Sequence, residues 1–327
     1  MRQIVLTAPG HFSERHVSRP NTSPGEALVR IRKIGVCGSD FHAYAGKHPV
    51  YTFPRVLGHE ISGEVVDVDH NGAGLAPGDH CAIEPYMSCG ACRACRARRP
   101  NCCENLRLLG VHVDGGMQGF LSVPLQLLHK SDQLSLDQLA LVETLGIGAH
   151  AVERSGLSEG EEVLVVGVGP IGLAVVQFAA AAGGVVRILE KSAARREFAQ
   201  QFVKDTLEQP DERLADVVFD ATGSATAMEA SVHLVAPAGR LVFVGICRDS
   251  ICIDDSLFHK REMTLYASRN SSYQFPRIIR MIEAGNIDTA RWINARLPLR
   301  DVPRVFPDLP NRPNLVKAIV EVDDSDL

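Results

Sequence analysis

The chain has 327 residues, about the length of two domains, because a single hydrophobic core seldom grows beyond roughly 250–300 residues. Hydrophobic residues make up 45% of the chain and charged residues 22%, which excludes a fibrous or largely disordered protein. The formal net charge is −5, so no excess of positive charge attracts nucleic acid or an anionic membrane.

The N-terminal sequence and the cysteines indicate the compartment. MRQIVLTAPGHF has no apolar segment long enough for a signal peptide. The uncharged run from Val163 to Val186 is long enough to cross a membrane, but its glycines and Pro170 favour a strand, a turn and a helix. Nine cysteines, an odd number in a long chain, favour reduced thiols. We expect a cytoplasmic protein with no membrane segment.

The first third of the chain is predicted to be mostly β-structure. The pattern of Ala27–Arg32 alternates between the two sides of a strand with a period of two residues, and Ile61–Val68 repeats this pattern less strictly. A Pro-Gly-Asp turn at 77–79 precedes a short strand at Cys81–Pro85. These patterns predict a barrel-like β body with loops.

The pattern changes after Ser135, which with Gln138 forms a possible capping box at the start of a helix. From residue 162 onward apolar strands alternate with helices, which predicts an α/β domain with a doubly wound parallel sheet. The predicted strands are Val163–Val166, Val185–Leu189, Val217–Asp220 and Leu241–Val244, and the predicted helices are Leu173–Ala182, Ala193–Val203 and Thr226–Val235.

The last part of the chain is predicted to return to the β body, with a helix at Pro276–Ala284 and a closing strand at Val316–Val322. We expect a β body made of residues 1–142 and 269–327, with a lobe at about 86–106. Residues 143–268 are predicted to form the α/β domain.

A glycine-rich turn marks this second domain. It follows an apolar strand and opens an apolar helix, where the glycines allow a tight turn and close approach of a pyrophosphate to the helix N-terminus. Its candidate cofactor-binding residues are Gly167, Gly169, Pro170, Ile171 and Gly172. Glu190 ends the next predicted strand, where a carboxylate can accept hydrogen bonds from a ribose. The turn predicts a dinucleotide cofactor.

Four cysteines cluster in the predicted lobe: Cys89, Cys92, Cys95 and Cys103. Thiolates this close in sequence can surround one tetrahedral Zn²⁺ without leaving an open position, so the site is predicted to be structural. Cys102 competes with Cys103 for the fourth position.

The same lobe contains four arginines, namely Arg93, Arg96, Arg98 and Arg99. A zinc-stabilised basic loop could bind nucleic acid. No aromatic residues alternate with these arginines to stack on bases, and the whole chain is acidic, so a solvated or subunit-contacting face is favoured.

A second set of potential metal ligands lies outside the lobe: Cys37, His59, Glu60 and Glu143. A thiolate, an imidazole and carboxylates suit zinc, and a small number of protein ligands leaves one position open. Adjacent residues in a regular strand point to opposite faces, so His59 and Glu60 reach one metal only if the backbone is locally distorted. We therefore expect Glu60 to be a conditional or indirect ligand.

The motifs CGSDFH at 37–42, GHE at 58–60, the cysteine lobe and GVGPIG at 167–172, in this order, resemble the zinc-dependent medium-chain alcohol dehydrogenase family. The resemblance implies a GroES-like β-barrel catalytic domain plus a Rossmann domain, two Zn²⁺ per chain, an NAD cofactor and a homodimer or homotetramer. Glu143 matches the acidic position of sorbitol and threonine dehydrogenases.

The resemblance also implies the mechanism, a zinc-assisted hydride transfer from an alcohol to the nicotinamide. Ser39 is then the group that takes the proton of the reacting hydroxyl, and His42, three residues further on, passes it to water.

For the substrate, the segments FPRVLGHE, LGVHVDGG and SRNSSYQFPRII are most similar to bacterial sugar-acid dehydrogenases that oxidise L-galactonate or L-gulonate at C5. Glu143, Arg269 and Asn270 are then the candidate substrate-binding residues. Sorbitol or another polyol and L-threonine are the alternatives, and a non-catalytic zinc protein is the alternative from a different class.

NAD is favoured over NADP, because a 2′-phosphate beside Glu190 would place like charges together. Lys191 and Arg195 are cations that could hold a 2′-phosphate, although Arg195 can instead lie along the adenine. Only about a dozen residues, Lys204 to Ala215, stand where the family usually has a further strand and helix. We expect a reduced adenine side of the cofactor groove.

Overall fold

The computed structural model describes residues 1–68 and 74–327, and the chain divides into two compact units. The first unit comprises Met1–Glu143, Phe275–Ala284 and Thr289–Leu327, and the second comprises Thr144–Gln274 and Gly285–Asp288. Among the described residues, no helix is long and apolar enough to cross a membrane.

Strands dominate the N-terminal part of the first unit. They are β1 (Arg2–Ala8), β2 (His11–His16), β3 (Glu26–Gly35), β4 (Glu60–Val68), β5 (His80–Ile83), β6 (Tyr86–Met87), β7 (Arg107–Leu108), β8 (Phe120–Pro124) and β9 (Leu128–Lys130). The helices are α1 (Gly38–Tyr44), α2 (Arg93–Arg96) and α3 (Leu136–Ala140), with short 3-10 helices at Pro100–Cys102 and Leu125–Leu127. The capping box predicted for Ser135 and Gln138 is present at the start of α3.

Strand β3 is central to the sheet of this unit. Its residues Ala27, Val29 and Ile31 are fully buried in the hydrophobic core, as their alternation predicts. It pairs antiparallel with β4, so that Gly35 lies opposite Glu60. The end of β3 and the beginning of β4 therefore lie side by side, and this arrangement sets the position of the residues that follow Gly35.

The second unit begins within α4 (Val142–Ser155) and alternates strands with helices. Its elements are β10 (Glu162–Val166), α5 (Pro170–Ala181), β11 (Val185–Leu189), α6 (Ala193–Ala199), β12 (Thr206–Leu207), β13 (Ala215–Asp220), α7 (Ala225–Ser231), a 3-10 helix at Val232–Leu234, β14 (Val235–Phe243), α8 (Asp255–Lys260) and β15 (Thr264–Ala267). All neighbouring strands are parallel in the order β12-β11-β10-β13-β14-β15, the Rossmann order. The predicted doubly wound sheet is confirmed.

Two details differ from the sequence prediction. The short segment after α6 keeps the third Rossmann strand as the two-residue β12, and the described residues between 208 and 214 contain no helix. The predicted boundary after residue 268 is early, since residues 269–274 belong to the second unit, where the Gln274 side chain donates a hydrogen bond to Glu153.

The C-terminal segments complete the first unit. They are α9 (Phe275–Glu283), β16 (Ile293–Pro298), α10 (Val302–Val305) and β17 (Lys317–Glu321), with 3-10 helices at Leu299–Asp301, Phe306–Asn311 and Asp324–Asp326. Strand β17 pairs parallel with β16 and antiparallel with β3, which places Lys317 and its neighbours beside the strand that leads to Cys37.

Candidate metal centres and cofactor site

The ends of β3 and β4 bring together Cys37, His59 and Glu60. One ligand atom from each lies within 4.8 Å of the other two, and His59 and Glu60 are buried. Cys37 caps helix α1 two residues after β3 ends, and Glu60 is the first residue of β4.

The local backbone explains how two adjacent residues face one point. Gly58 has a φ of +96°, and a Cβ added there would lie 2.6 Å from Ile34 Cγ2. His59 therefore lies outside the regular strand, and its ring need not point away from Glu60. The distortion that the sequence prediction required is present.

Asp40 supports this cluster from α1. Its carboxylate is fully buried; Oδ2 accepts a hydrogen bond from the Cys37 backbone N–H at 3.0 Å, and Oδ1 lies 3.7 Å from His59 Nδ1. Burial raises the pKa of Asp40. Burial alone lowers the pKa of His59, but the charges of Cys37, Asp40 and Glu143 outweigh it and raise that pKa. The imidazole lies in strongly negative surroundings.

Glu60 has a cationic partner that the sequence prediction missed. Lys317 Nζ, buried on β17, donates to both carboxylate oxygens of Glu60, at 2.7 and 2.8 Å. The Glu60 side chain lies against Gly35, where an added Cβ would be 1.9 Å from Oε2. Lys317 therefore competes with a metal ion for this carboxylate.

Glu143 lies beside this cluster, but it is not one of the three residues whose ligand atoms lie within 4.8 Å of one another. Its buried carboxylate accepts a hydrogen bond from the Tyr86 hydroxyl. Burial raises the pKa of Glu143, while the charge of His59 lowers it and that of Glu60 raises it. The second oxygen of Glu143 is not bonded to Tyr86, so this carboxylate can accept a further ligand.

The residues of this cluster fit a zinc ion. A thiol, an imidazole and carboxylates are the donors that zinc takes in catalytic sites. His59 Nδ1 and Asp40 Oδ1 are buried and lie 3.7 Å apart, too far for a hydrogen bond, so the negative charge of the Asp40 carboxyl group is near the imidazole without fixing it. The carboxyl groups of Asp40, Glu60 and Glu143 are buried near one lysine, Lys317, so a bound cation would balance their charge.

The two residues predicted to move the proton lie on α1. Ser39 is partly buried, and His42, one helical turn further along, is exposed. The serine is thus close in sequence to Cys37, while the histidine reaches solvent.

The cysteine lobe forms a second, separate cluster. The sulfur atoms of Cys89, Cys92, Cys95 and Cys103 all lie within 4.8 Å of one another, and the structure includes Cys103 rather than the exposed Cys102. Backbone N–H groups point at the sulfurs: Cys89 N and Asn105 N lie 3.3 Å from Cys103 Sγ. Backbone hydrogen bonds from Ala91 and Cys92 lower the pKa of the Cys89 thiol to about 6. This cluster also fits zinc.

All four arginines of the lobe are exposed. The Arg96 guanidinium donates a hydrogen bond to the carbonyl of Ala91, and Arg98 adopts a φ of 58°. At least one of these cations therefore stabilises the lobe itself.

The glycine-rich turn connects β10 to α5. Gly167 has a φ of 82°, and a Cβ at Gly172 would lie 1.9 Å from the Gly167 carbonyl oxygen, so both positions require glycine. An added Cβ at Gly169, which caps α5, meets no atom within 4 Å, and Pro170 occupies the first turn. Open space in front of a helix N-terminus suits a pyrophosphate.

Glu190 closes this turn from the end of β11. Its two oxygens accept hydrogen bonds from the backbone N–H groups of Val168, at 2.9 Å, and Ser192, at 2.8 Å. Each carboxylate oxygen keeps a second lone pair for a ribose hydroxyl. Glu190 is buried, with 8% of the residue exposed, and its two hydrogen bonds fix the orientation of the carboxylate before a cofactor binds.

Comparisons with known proteins agree with this geometry. Residues 23–133 match the model of the alcohol dehydrogenase GroES-like domain, and residues 170–284 match that of the zinc-binding dehydrogenases. The chain is 36% identical over 335 aligned positions to L-galactonate-5-dehydrogenase of Escherichia coli K12, with 98% of each chain covered. The chain belongs to the zinc-type alcohol dehydrogenase family.

Solved structures of dehydrogenases match nearly the whole chain. A zinc-binding dehydrogenase from Sinorhizobium meliloti, bound to NADP, is 30% identical with a TM-score of 0.92, and 98% of each chain is covered. A short chain alcohol dehydrogenase from E. coli CFT073, complexed with NADH, is 26% identical with a TM-score of 0.93 and covers 98% and 99%. This zinc-type dehydrogenase is therefore an oxidoreductase that uses NAD or NADP.

Beside the cofactor turn, Arg195 is exposed, whereas Arg196 turns back on the chain. Arg196 donates to the carbonyls of Glu190, at 2.7 Å, and Lys191, at 2.8 Å, and to Glu208. Sequence reasoning did not single out Arg196, which holds β11 and the residues after β12 together.

Two of the three predicted substrate residues, Arg269 and Asn270, lie just after β15. Arg269 is exposed, and Asn270 is partly buried with a φ of 52°, a left-handed conformation that asparagine tolerates better than most residues. Both belong to the second unit and not, as predicted, to the β body.

Proposed function

We propose that this enzyme is an NAD-dependent dehydrogenase that oxidises a secondary alcohol of a sugar acid such as L-galactonate or L-gulonate. The main support is the cluster of the partly buried Cys37 with the buried His59 and Glu60, whose mixed donors suit a catalytic metal. The similarity to an L-galactonate dehydrogenase over nearly the full chain supports the substrate class.

Cys37 and His59 would hold the catalytic zinc, with Glu143 or Glu60 as a further ligand. When bound, zinc supplies a Lewis acid that lowers the pKa of an alcohol, and nicotinamide supplies a hydride acceptor. Asp40, whose Oδ1 lies 3.7 Å from His59 Nδ1, would orient His59 if the two atoms approached to hydrogen-bond distance, as carboxylates commonly orient metal-binding imidazoles. Lys317 holds Glu60, which we propose makes Glu60 a conditional ligand.

Ser39 would accept the proton of the reacting hydroxyl, and the exposed His42 would pass it to water. Histidine side chains commonly act as proton shuttles. Glu143, Arg269 and Asn270 are the proposed substrate contacts; a guanidinium can bind the carboxylate of a sugar acid through two hydrogen bonds.

We propose NAD as the cofactor, because Glu190 would repel the 2′-phosphate of NADP. Gly167, Gly169, Pro170, Ile171 and Gly172 would contact the pyrophosphate, with Arg195 along the adenine. The four cysteines of the lobe would hold a second, structural zinc ion. A cytoplasmic homodimer or homotetramer remains our proposal for the assembly.

A substrate panel tests this proposal. L-galactonate, L-gulonate, sorbitol and L-threonine should each be assayed with NAD⁺ and NADP⁺, in the wild type and in Glu190→Ala. We expect the highest kcat/KM with a sugar acid and NAD⁺, at least about tenfold above NADP⁺, and a smaller gap in Glu190→Ala. Highest activity with sorbitol or L-threonine would show that the proposed sugar-acid substrate is wrong. A preference for NADP⁺ would show that the proposed cofactor is wrong.

A further inference from the structure

Tyr51 carries a buried hydroxyl that the proposed reaction does not use. The residue lies in the loop between α1 and β4, is 7% exposed and packs in the hydrophobic core with Val56 and Leu57. Its ring meets the His48 ring edge-on, with centroids 4.7 Å apart. The aromatic ring is therefore fixed, and the hydroxyl cannot turn out to solvent.

The hydroxyl oxygen is fully buried and, in the described part of the chain, has no hydrogen-bond partner of normal geometry. A buried polar group in this condition destabilises the protein unless a ligand or water satisfies it. The Tyr51 hydroxyl is therefore available to form a hydrogen bond with a ligand.

The surroundings of Tyr51 show in which direction that partner lies. Ser39 approaches the hydroxyl without forming a hydrogen bond of normal geometry, and the charges of Asp40, Cys37 and Glu143 also act on it. Burial and these charges raise the pKa of Tyr51, so it remains a neutral phenol that can donate or accept a hydrogen bond. The phenol thus faces the candidate metal site next to Ser39.

We infer that the Tyr51 hydroxyl binds the substrate hydroxyl on the carbon next to the one that is oxidised. This inference rests on the proposed function, in which the reacting hydroxyl contacts Ser39. A group one carbon away from that hydroxyl then comes within reach of Tyr51. Tyr51 makes the enzyme selective for vicinal diols, the arrangement found in polyols and sugar acids.

The test compares two substrates that differ by this one hydroxyl, 2,3-butanediol and 2-butanol, in the wild-type holoenzyme, Tyr51→Phe and Tyr44→Phe. Tyr44 is the matched control, since its hydroxyl donates to the Gly10 carbonyl at the surface. The wild type should prefer the diol, and Tyr51→Phe should reduce the ratio of the two kcat/KM values by about tenfold or more. Tyr44→Phe should keep the wild-type ratio.

Thermal unfolding distinguishes recognition from a structural role. Tyr51→Phe should keep or raise the melting temperature, because it removes an unsatisfied buried group. An unchanged ratio, or equal losses for both substrates with a fall in the melting temperature, would overturn the inference. If the wild type prefers 2,3-butanediol over 2-butanol as expected but oxidises no sugar acid, the role of Tyr51 is supported and the proposed sugar-acid substrate is wrong.

Discussion

The two metal-ligand clusters of the first unit have similar dimensions but opposite surroundings. In the cysteine lobe, four identical donors lie near the surface, and backbone N–H groups of the same short segment point at the sulfurs. In the Cys37 cluster, different donors come from separated segments, and buried carboxylates, a lysine and a tyrosine surround them. A local cluster suits a closed structural site, whereas the buried one suits chemistry, because its groups can change partners.

The largest expected effect concerns the ion pair under the buried cluster. Lys317→Met leaves the Glu60 carboxylate buried without its cation, so we expect a loss of about 3–5 kcal/mol in the free energy of unfolding. Urea unfolding of the zinc-free protein measures this loss.

The matched control is Lys33→Met. Lys33 forms an ion pair of the same length, 2.7 Å, with the partly exposed Glu321. Such a pair contributes about 1 kcal/mol or less. If the two variants lose equal stability, Lys317 does not stabilise a buried charge. In the double variant Glu60→Gln/Lys317→Met, part of the loss should be recovered, since no charge then remains unpaired.

A smaller effect is expected for the proposed transfer of a proton from the buried cluster to solvent. His42→Ala should reduce the rate about tenfold near pH 7, with recovery at higher pH or on addition of imidazole, because water or a small base then replaces the histidine. The measurement is the pH profile of kcat in both proteins. A profile identical to that of the wild type would mean that His42 is only a surface residue.

The contrast between the clusters also explains what the sequence could predict. The cysteine lobe and the glycine-rich turn are set by spacing within short segments, so their residues were identified directly. The distortion at Gly58 was required by the adjacent His59 and Glu60, although its backbone geometry appears only in the structure.

The partners of the buried cluster were missed because they are distant in sequence. Lys317 is separated from Glu60 by 257 positions, and Tyr86 from Glu143 by 57. A lysine directly before the apolar residues Ala318, Ile319 and Val320 was the available signal for a buried ion pair. The short strand β12 was also missed, because two residues are too few for a periodic pattern.

We propose two zinc sites with different roles, and the zinc content of purified variants tests this proposal most directly. Zinc should be counted in the wild type, Cys37→Ser and Cys92→Ser, together with turnover and circular dichroism. We predict two zinc ions in the wild type and one in Cys37→Ser, which keeps its fold and loses turnover. Cys92→Ser should also lose one zinc ion, with reduced solubility or assembly. One zinc ion in the wild type that is lost entirely in Cys37→Ser would contradict the account.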